Sequence, residues 1–160
     1  MATFDEKRQH NVAVHEAGHA VMAHLLGMKV NQLVVDFGNE KTRGYVDWDY
    51  IDASLLDESK RKDLIDVFVN LAGMEAEKLI IGRLYEGWLG DMDSTMKIID
   101  RRTVGKEPDA DSRYITRAGG FVKRALEPHV SILRTIADRL LQSGSISREE
   151  FLVIMEGLDQ

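Results

Sequence analysis

Residues His15-Glu16-Ala17-Gly18-His19 set two imidazoles four positions apart, with a carboxylate beside the first. On an α-helix, positions i and i+4 share a face, so both rings can present a nitrogen to one cation. Glu16 then leans beside that cation, where it can take a proton from a bound water, which is the H-E-x-x-H spacing of zinc-dependent hydrolysis. A catalytic zinc needs a third protein ligand and leaves its fourth position to water. The chain has no cysteine, so every ligand must offer nitrogen or oxygen. His10 and His24 each stand five residues from a motif histidine, a step of about 140° around a helix, so both point away from the metal face. The position six past the motif is Leu25, and His129 lies far along the chain behind Pro128. A carboxylate is therefore expected, with Glu75, Glu77, Asp91 and Asp93 as the candidates.

These side chains need a scaffold, and apolar spacing predicts one. A first helix is expected from near Thr3 to Glu6 as far as Leu26, with Gly27 as its stop. Its centre is apolar on nearly every side apart from the motif, as in a helix buried all round. Strands are expected over Lys29 to Phe37 and Thr42 to Tyr50, with the turn at Gly38-Asn39-Glu40. A long helix follows from Asp57 or Ser59 to Gly82, then a loop with Gly82, Gly87 and Gly90, then a third helix from Asp91 to Ser94 as far as Val104. Beyond the polar connection Gly105 to Asp109, helices are expected over Tyr114 to Leu126 and Val130 to Leu141, parted at Pro128. Ser147 and Glu150 fit a capping box that opens a short last helix. The expected fold is mainly α with a small β-sheet in one domain, residues 1–104 forming the zinc-site subregion and 105–160 the C-terminal helices.

The sequence resembles the zinc peptidase domain of the FtsH-type ATP-dependent proteases. The likeness runs through Glu6-Lys7-Arg8, Ala13 and the motif to Ala20, then Gly44-Tyr45, then Leu71 to Gly82, and on through the C-terminal helices. It implies a zincin-like H-E-x-x-H peptidase domain with a C-terminal helical bundle. Asp93, eleven residues past Gly82, stands where the family places its third zinc ligand, so the resemblance implies His15, His19 and Asp93 as metal ligands. Asp91 is the near competitor, because Gly90 precedes Asp93 by three residues where the family usually has four. Glu77 matches an acidic position of the family and is a candidate to orient a ligating histidine.

Together these residues imply zinc-dependent hydrolysis of peptide bonds with Glu16 as the general base. The Thr42 to Trp48 segment is a candidate edge strand for an extended peptide, with Gly44 and Tyr45 bordering the groove. The implied partner is a protein or peptide substrate, and a separate unfoldase or a homo-oligomer remains open. A G-x-x-x-x-G-K-[ST] phosphate loop is absent from the 160 residues, which sets the expectation of a free-standing peptidase domain. Two other readings use the same residues: a regulatory peptidase that cuts one folded partner, and a zinc-bound scaffold without catalysis, against which the intact Glu16 argues. A net charge of -6 excludes a basic nucleic-acid footprint. No apolar run is long enough to span a bilayer, and Met1 to Asn11 lacks an apolar leader core, so the cytoplasm is the expected compartment.

Overall fold

The computed structural model describes residues 1–38, 42–51, 58–84 and 88–157. In chain order it contains α1 (Phe4–Leu25), β1 (Lys29–Asp36), β2 (Arg43–Asp49), α2 (Glu58–Ile80), α3 (Leu89–Thr103), α4 (Ala110–Leu126), α5 (Val130–Ser143), β3 (Ser145–Ser147) and α6 (Arg148–Glu156). The molecule is mainly helical with one small antiparallel sheet, as the spacing of apolar residues predicts. Asn39 and Glu40 of the expected turn, Asp57 and Gly87 lie outside the described residues.

Helix α1 is the central element, packed on α2, α5 and both long strands. A capping box opens it: Glu6 N–H donates to Thr3 Oγ1 at 3.2 Å, and Thr3 N–H donates to Glu6 Oε2 at 2.7 Å. Ala13, Ala17 and Ala20 are fully buried, and these small side chains let neighbouring backbones come close. At Gly18 the approach to α2 is close: an added Cβ would stand 2.4 Å from the Ala72 carbonyl oxygen and 2.7 Å from Ala76 Cβ. The resulting crossing brings the middle of α2 against the motif.

The sheet has the order β2-β1-β3. A register shift between Val30 and Gln32 inserts one residue into β1, so Val30, Leu33 and Val35 all turn inward although the first pair is three positions apart. β3 is three residues long, too short to show a period of two in the sequence. It forms because Gly144 takes φ +75 at the end of α5, which turns the chain so that Ser145, Ile146 and Ser147 pair with Val34, Leu33 and Gln32. The expected capping box of Ser147 and Glu150 then opens α6. Pro128 parts α4 from α5 through a short 3₁₀ turn, as expected, while α4 starts at Ala110, four residues before Tyr114.

Helix α3 starts at Leu89, two residues before its expected opening, and Asp91 therefore sits inside its first turn. Its far end is tied to α2, where Arg101 and Arg102 both pair with Asp63 at 3.2 and 2.6 Å. One apolar core runs from Ala13 through Leu33, Leu71 and Leu133 to Phe151. Among the described residues, no helix is long and apolar enough to cross a membrane.

The Gly18 crossing yields a direct test. Gly18→Ala is expected to destabilise the fold by about 1–3 kcal/mol, because the backbone carbonyl of Ala72 cannot move aside independently of its helix. Urea denaturation measures this, and an unchanged or raised midpoint would contradict the close packing.

Candidate metal centre

His15 and His19 lie on one face of α1, their ring centroids 4.5 Å apart and their planes nearly perpendicular. Each Nδ1 meets an oxygen that only accepts hydrogen bonds in this setting. His15 Nδ1 lies 2.6 Å from Glu77 Oε1, and His19 Nδ1 lies 2.6 Å from the Val69 carbonyl oxygen, both on α2. Each Nδ1 must therefore donate, and in a neutral ring that leaves Nε2 as a bare lone pair. Both Nε2 atoms face the same acceptor, Asp91 Oδ2, at 2.7 Å from His15 and 3.0 Å from His19.

Three acceptors at such distances repel unless a positive charge lies among them. Protons can supply it by making imidazolium, or a cation can take all three lone pairs. Two imidazole nitrogens and a carboxylate oxygen, within 4.8 Å of one another, form a donor set that suits zinc. The Glu77 carboxylate holds the far side of the His15 ring, the kind of support that metal-binding imidazoles ordinarily receive.

The four candidate carboxylates are thereby sorted by position. Asp91 faces the imidazoles, and Glu77, 2 % exposed, anchors His15 from behind. Glu75 turns to Lys78, its Oε1 2.9 Å from Nζ. Asp93, implied as the third ligand by the resemblance, is not among the clustered residues: its side chain is 68 % exposed and pairs with Lys97 at 2.9 Å. The different placement of Asp91 and Asp93 has a geometric reason. Residues two apart on a helix point about 200° away from each other, so a turn that aims Asp91 at the imidazoles aims Asp93 at solvent. The acidic side chain also sits in the first turn of α3, where the helix dipole favours negative charge.

Electrostatics follow from this packing. Burial disfavours an imidazolium at His15, yet its bonds to Asp91 and Glu77 and the charge of Glu16 outweigh that cost and raise its pKa to about 10. Burial likewise opposes ionisation of Asp91, but the two histidines hold its carboxyl well below the usual carboxylate range. Burial pushes the Glu16 carboxyl upward against the opposing pull of His19 and His15. Burial lowers the pKa of His24, which stacks edge-on against Phe151 at 5.6 Å, away from the cluster as its spacing predicts.

Two glycines leave room for the clustered side chains. An added Cβ at Gly73 would lie 2.5 Å from His15 Cε1 and Nε2, and one at Gly44 would lie 2.5 Å from Glu16 Cγ. Gly44, expected to border substrate, therefore also leaves room for the Glu16 side chain. It lines, with Tyr45, a groove of about 1100 Å³ that contains His15, Glu16, His19 and Asp91. Gly73 and the Val69 carbonyl carry no signal in the sequence until α1 and α2 are laid together, although Gly73 stands one turn before Glu77 on α2.

No protein-family model and no curated protein sequence matches the chain.

Two measurements test the cluster. In chelator competition, Glu77→Gln is expected to weaken zinc binding about 10- to 100-fold, Asp91→Ala to weaken it further, and Asp93→Ala to leave it unchanged. Loss with Asp93→Ala and retention with Asp91→Ala would reverse the assignment. The second concerns pH. A raised His15 pKa contributes stability to the metal-free protein that is complete below 6.5 and is lost as pH rises through about 10; Asp91 is the other half of the same ion pair and counts once. Zinc needs the nitrogen unprotonated. The melting-temperature difference between zinc-loaded and metal-free protein is therefore expected to widen from pH 6.5 upward, and a flat difference would contradict this.

Proposed function

We propose that this chain is a zinc-dependent metallopeptidase domain, similar to that of the FtsH-type proteases, with His15, His19 and Asp91 as the metal ligands and Glu16 as the general base. The observation that carries the proposal is the convergence of His15 Nε2, His19 Nε2 and Asp91 Oδ2, with both Nδ1 atoms already committed elsewhere. Zinc, when bound, supplies Lewis acidity toward a water and toward the substrate carbonyl.

The protein's own groups do the rest. Glu16 follows His15 directly and lines the same groove, where its carboxylate accepts a proton from the attacking water. Its burial favours the protonated form, so the carboxyl can hold that proton until the amine of the broken peptide bond takes it. Glu77 and the Val69 carbonyl fix both imidazole planes, so the ligands need not reorganise as charge develops.

The groove suits an extended chain. β2 pairs with β1 on one side only, and its other edge is unpaired among the described residues. Thr42, Arg43, Gly44, Tyr45, Val46 and Trp48 line the groove, so a substrate backbone can add alongside β2 through main-chain hydrogen bonds. Such pairing leaves side-chain selection to the remaining walls.

The test uses the intact domain loaded with zinc and an unfolded substrate such as casein. Glu16→Gln is expected to lower cleavage by about 10²- to 10⁴-fold while zinc content stays at the wild-type level. Wild-type-level cleavage by that variant would exclude Glu16 as the base. Absence of cleavage in the zinc-loaded wild type, toward casein and toward folded proteins alike, would favour a zinc-bound scaffold.

A further inference from the structure

We infer that the groove selects peptides with an acidic side chain two to four residues from the bond to be cut; this inference rests on the peptidase reading and specifies its substrate class. It comes from the distribution of charge. The chain carries 27 acidic and 21 basic residues, a net charge of -6. Yet among the described residues, every charged side chain lining the groove outside the His15, Glu16, His19, Glu77 and Asp91 cluster is a cation: Lys7, Arg8, Arg43 and Arg83. In an acidic protein, a cleft with cationic walls is set against the overall charge, and it draws anionic ligands by complementarity.

Three of these cations, Lys7, Arg8 and Arg43, are held by no ion pair among the described residues, although Asp36 stands opposite Arg43 in the β1–β2 ladder. The surface elsewhere pairs its cations repeatedly, as Lys97 does with Asp93 and Arg139 with Glu150. A second feature also calls for a ligand. Asn11 lines the groove between the cations and the metal cluster, is only 5 % exposed, and has an amide nitrogen with no hydrogen-bond partner. A buried amide left unpaired is costly, and a half-turn about its last torsion offers either the nitrogen or the oxygen to a peptide passing in the groove.

Spacing sets where the acidic side chain falls. Lys7, Asn11, His15 and His19 stand on successive turns of α1. Lys7 is eight residues from His15, about 12 Å along the helix axis. An extended peptide advances about 3.3–3.6 Å per residue, so that distance corresponds to roughly three or four residues, and the reach of a lysine or arginine side chain shortens it to two. An acidic side chain so placed meets Lys7 and Arg8, or Arg43 across the groove, while the backbone passes Asn11 and β2.

The experiment compares quenched fluorescent peptides of one sequence carrying two glutamates, two glutamines or two lysines two to four residues before or after the central bond. Binding is read by anisotropy on zinc-loaded Glu16→Gln protein, and cleavage on the zinc-loaded wild type. The glutamate peptide is expected to bind roughly tenfold more tightly than the glutamine peptide on one side of the bond, and the lysine peptide more weakly than either. The combined variant Lys7→Glu, Arg8→Glu and Arg43→Glu, all at exposed or half-buried positions, is expected to reverse the order, and salt to compress it. Equal binding of the three peptides would overturn the inference, as would a preference that survives the charge reversal. So would an RNA oligonucleotide that displaces the glutamate peptide at equal concentration, since the surface would then recognise polyanions at large. Cleavage without charge preference overturns the inference and leaves the peptidase standing. Acidic preference in binding with no cleavage of any peptide supports the cationic selection and removes the peptidase.

Discussion

The Nδ1 atoms of His15 and His19 are engaged by Glu77 and by the carbonyl of Val69, and that commitment governs what the centre of the molecule can hold. With both outer nitrogens acting as donors, the inner nitrogens and the Asp91 carboxylate form a cluster of acceptors in a half-buried groove. Such a cluster is stable only around positive charge. In the metal-free protein a proton on His15, held against the cost of burial by Asp91 and Glu77, meets that demand, and a divalent cation would meet it with all three lone pairs at once.

Holding the rings this way constrains packing elsewhere. Val69 and Glu77 both lie on α2, so that helix must approach α1 closely enough for a carbonyl and a carboxylate to touch ring nitrogens. Three glycines make room: Gly18 where the helix backbones meet, Gly73 under the His15 ring, and Gly44 beside Glu16. A methyl group at any of them would press on a backbone, on the His15 ring or on the proposed base. The third carboxylate comes from α3, whose far end is tied to α2 by Asp63, so the helix that supplies two anchors also sets the angle of Asp91. Core and site are one structure.

Much of this is legible from the chain. Buried helix α1, long strands β1 and β2, long helix α2 and the break at Pro128 follow from apolar spacing and from glycine and proline chemistry. His15, Glu16 and His19 follow from one helical turn, and the placement of His24 away from the cluster, against Phe151, from a five-residue step. β3 was hidden because three residues carry no periodicity, and its pairing depends on a turn at Gly144 that acts only once β1 is in place. The choice between Asp91 and Asp93 was hidden for a related reason. It depends on the phase of α3, and moving the helix start by two residues exchanges the inward and outward carboxylates. Spacing counted from Gly82 cannot determine that phase, because the intervening loop does not advance by a fixed angle per residue. Gly73 was unreadable because its role exists only across the α1–α2 contact.

The central claim is that one cation joins three named atoms, and a crystal of the protein grown with zinc, measured on both sides of the zinc absorption edge, tests it most directly. The account expects a single strong anomalous peak about 2.0–2.2 Å from His15 Nε2, His19 Nε2 and a carboxylate oxygen of Asp91, with Glu77 still bonded to His15 Nδ1. A zinc-replete crystal with no peak at that point, or with Asp91 turned to solvent and another side chain completing the set, would contradict it.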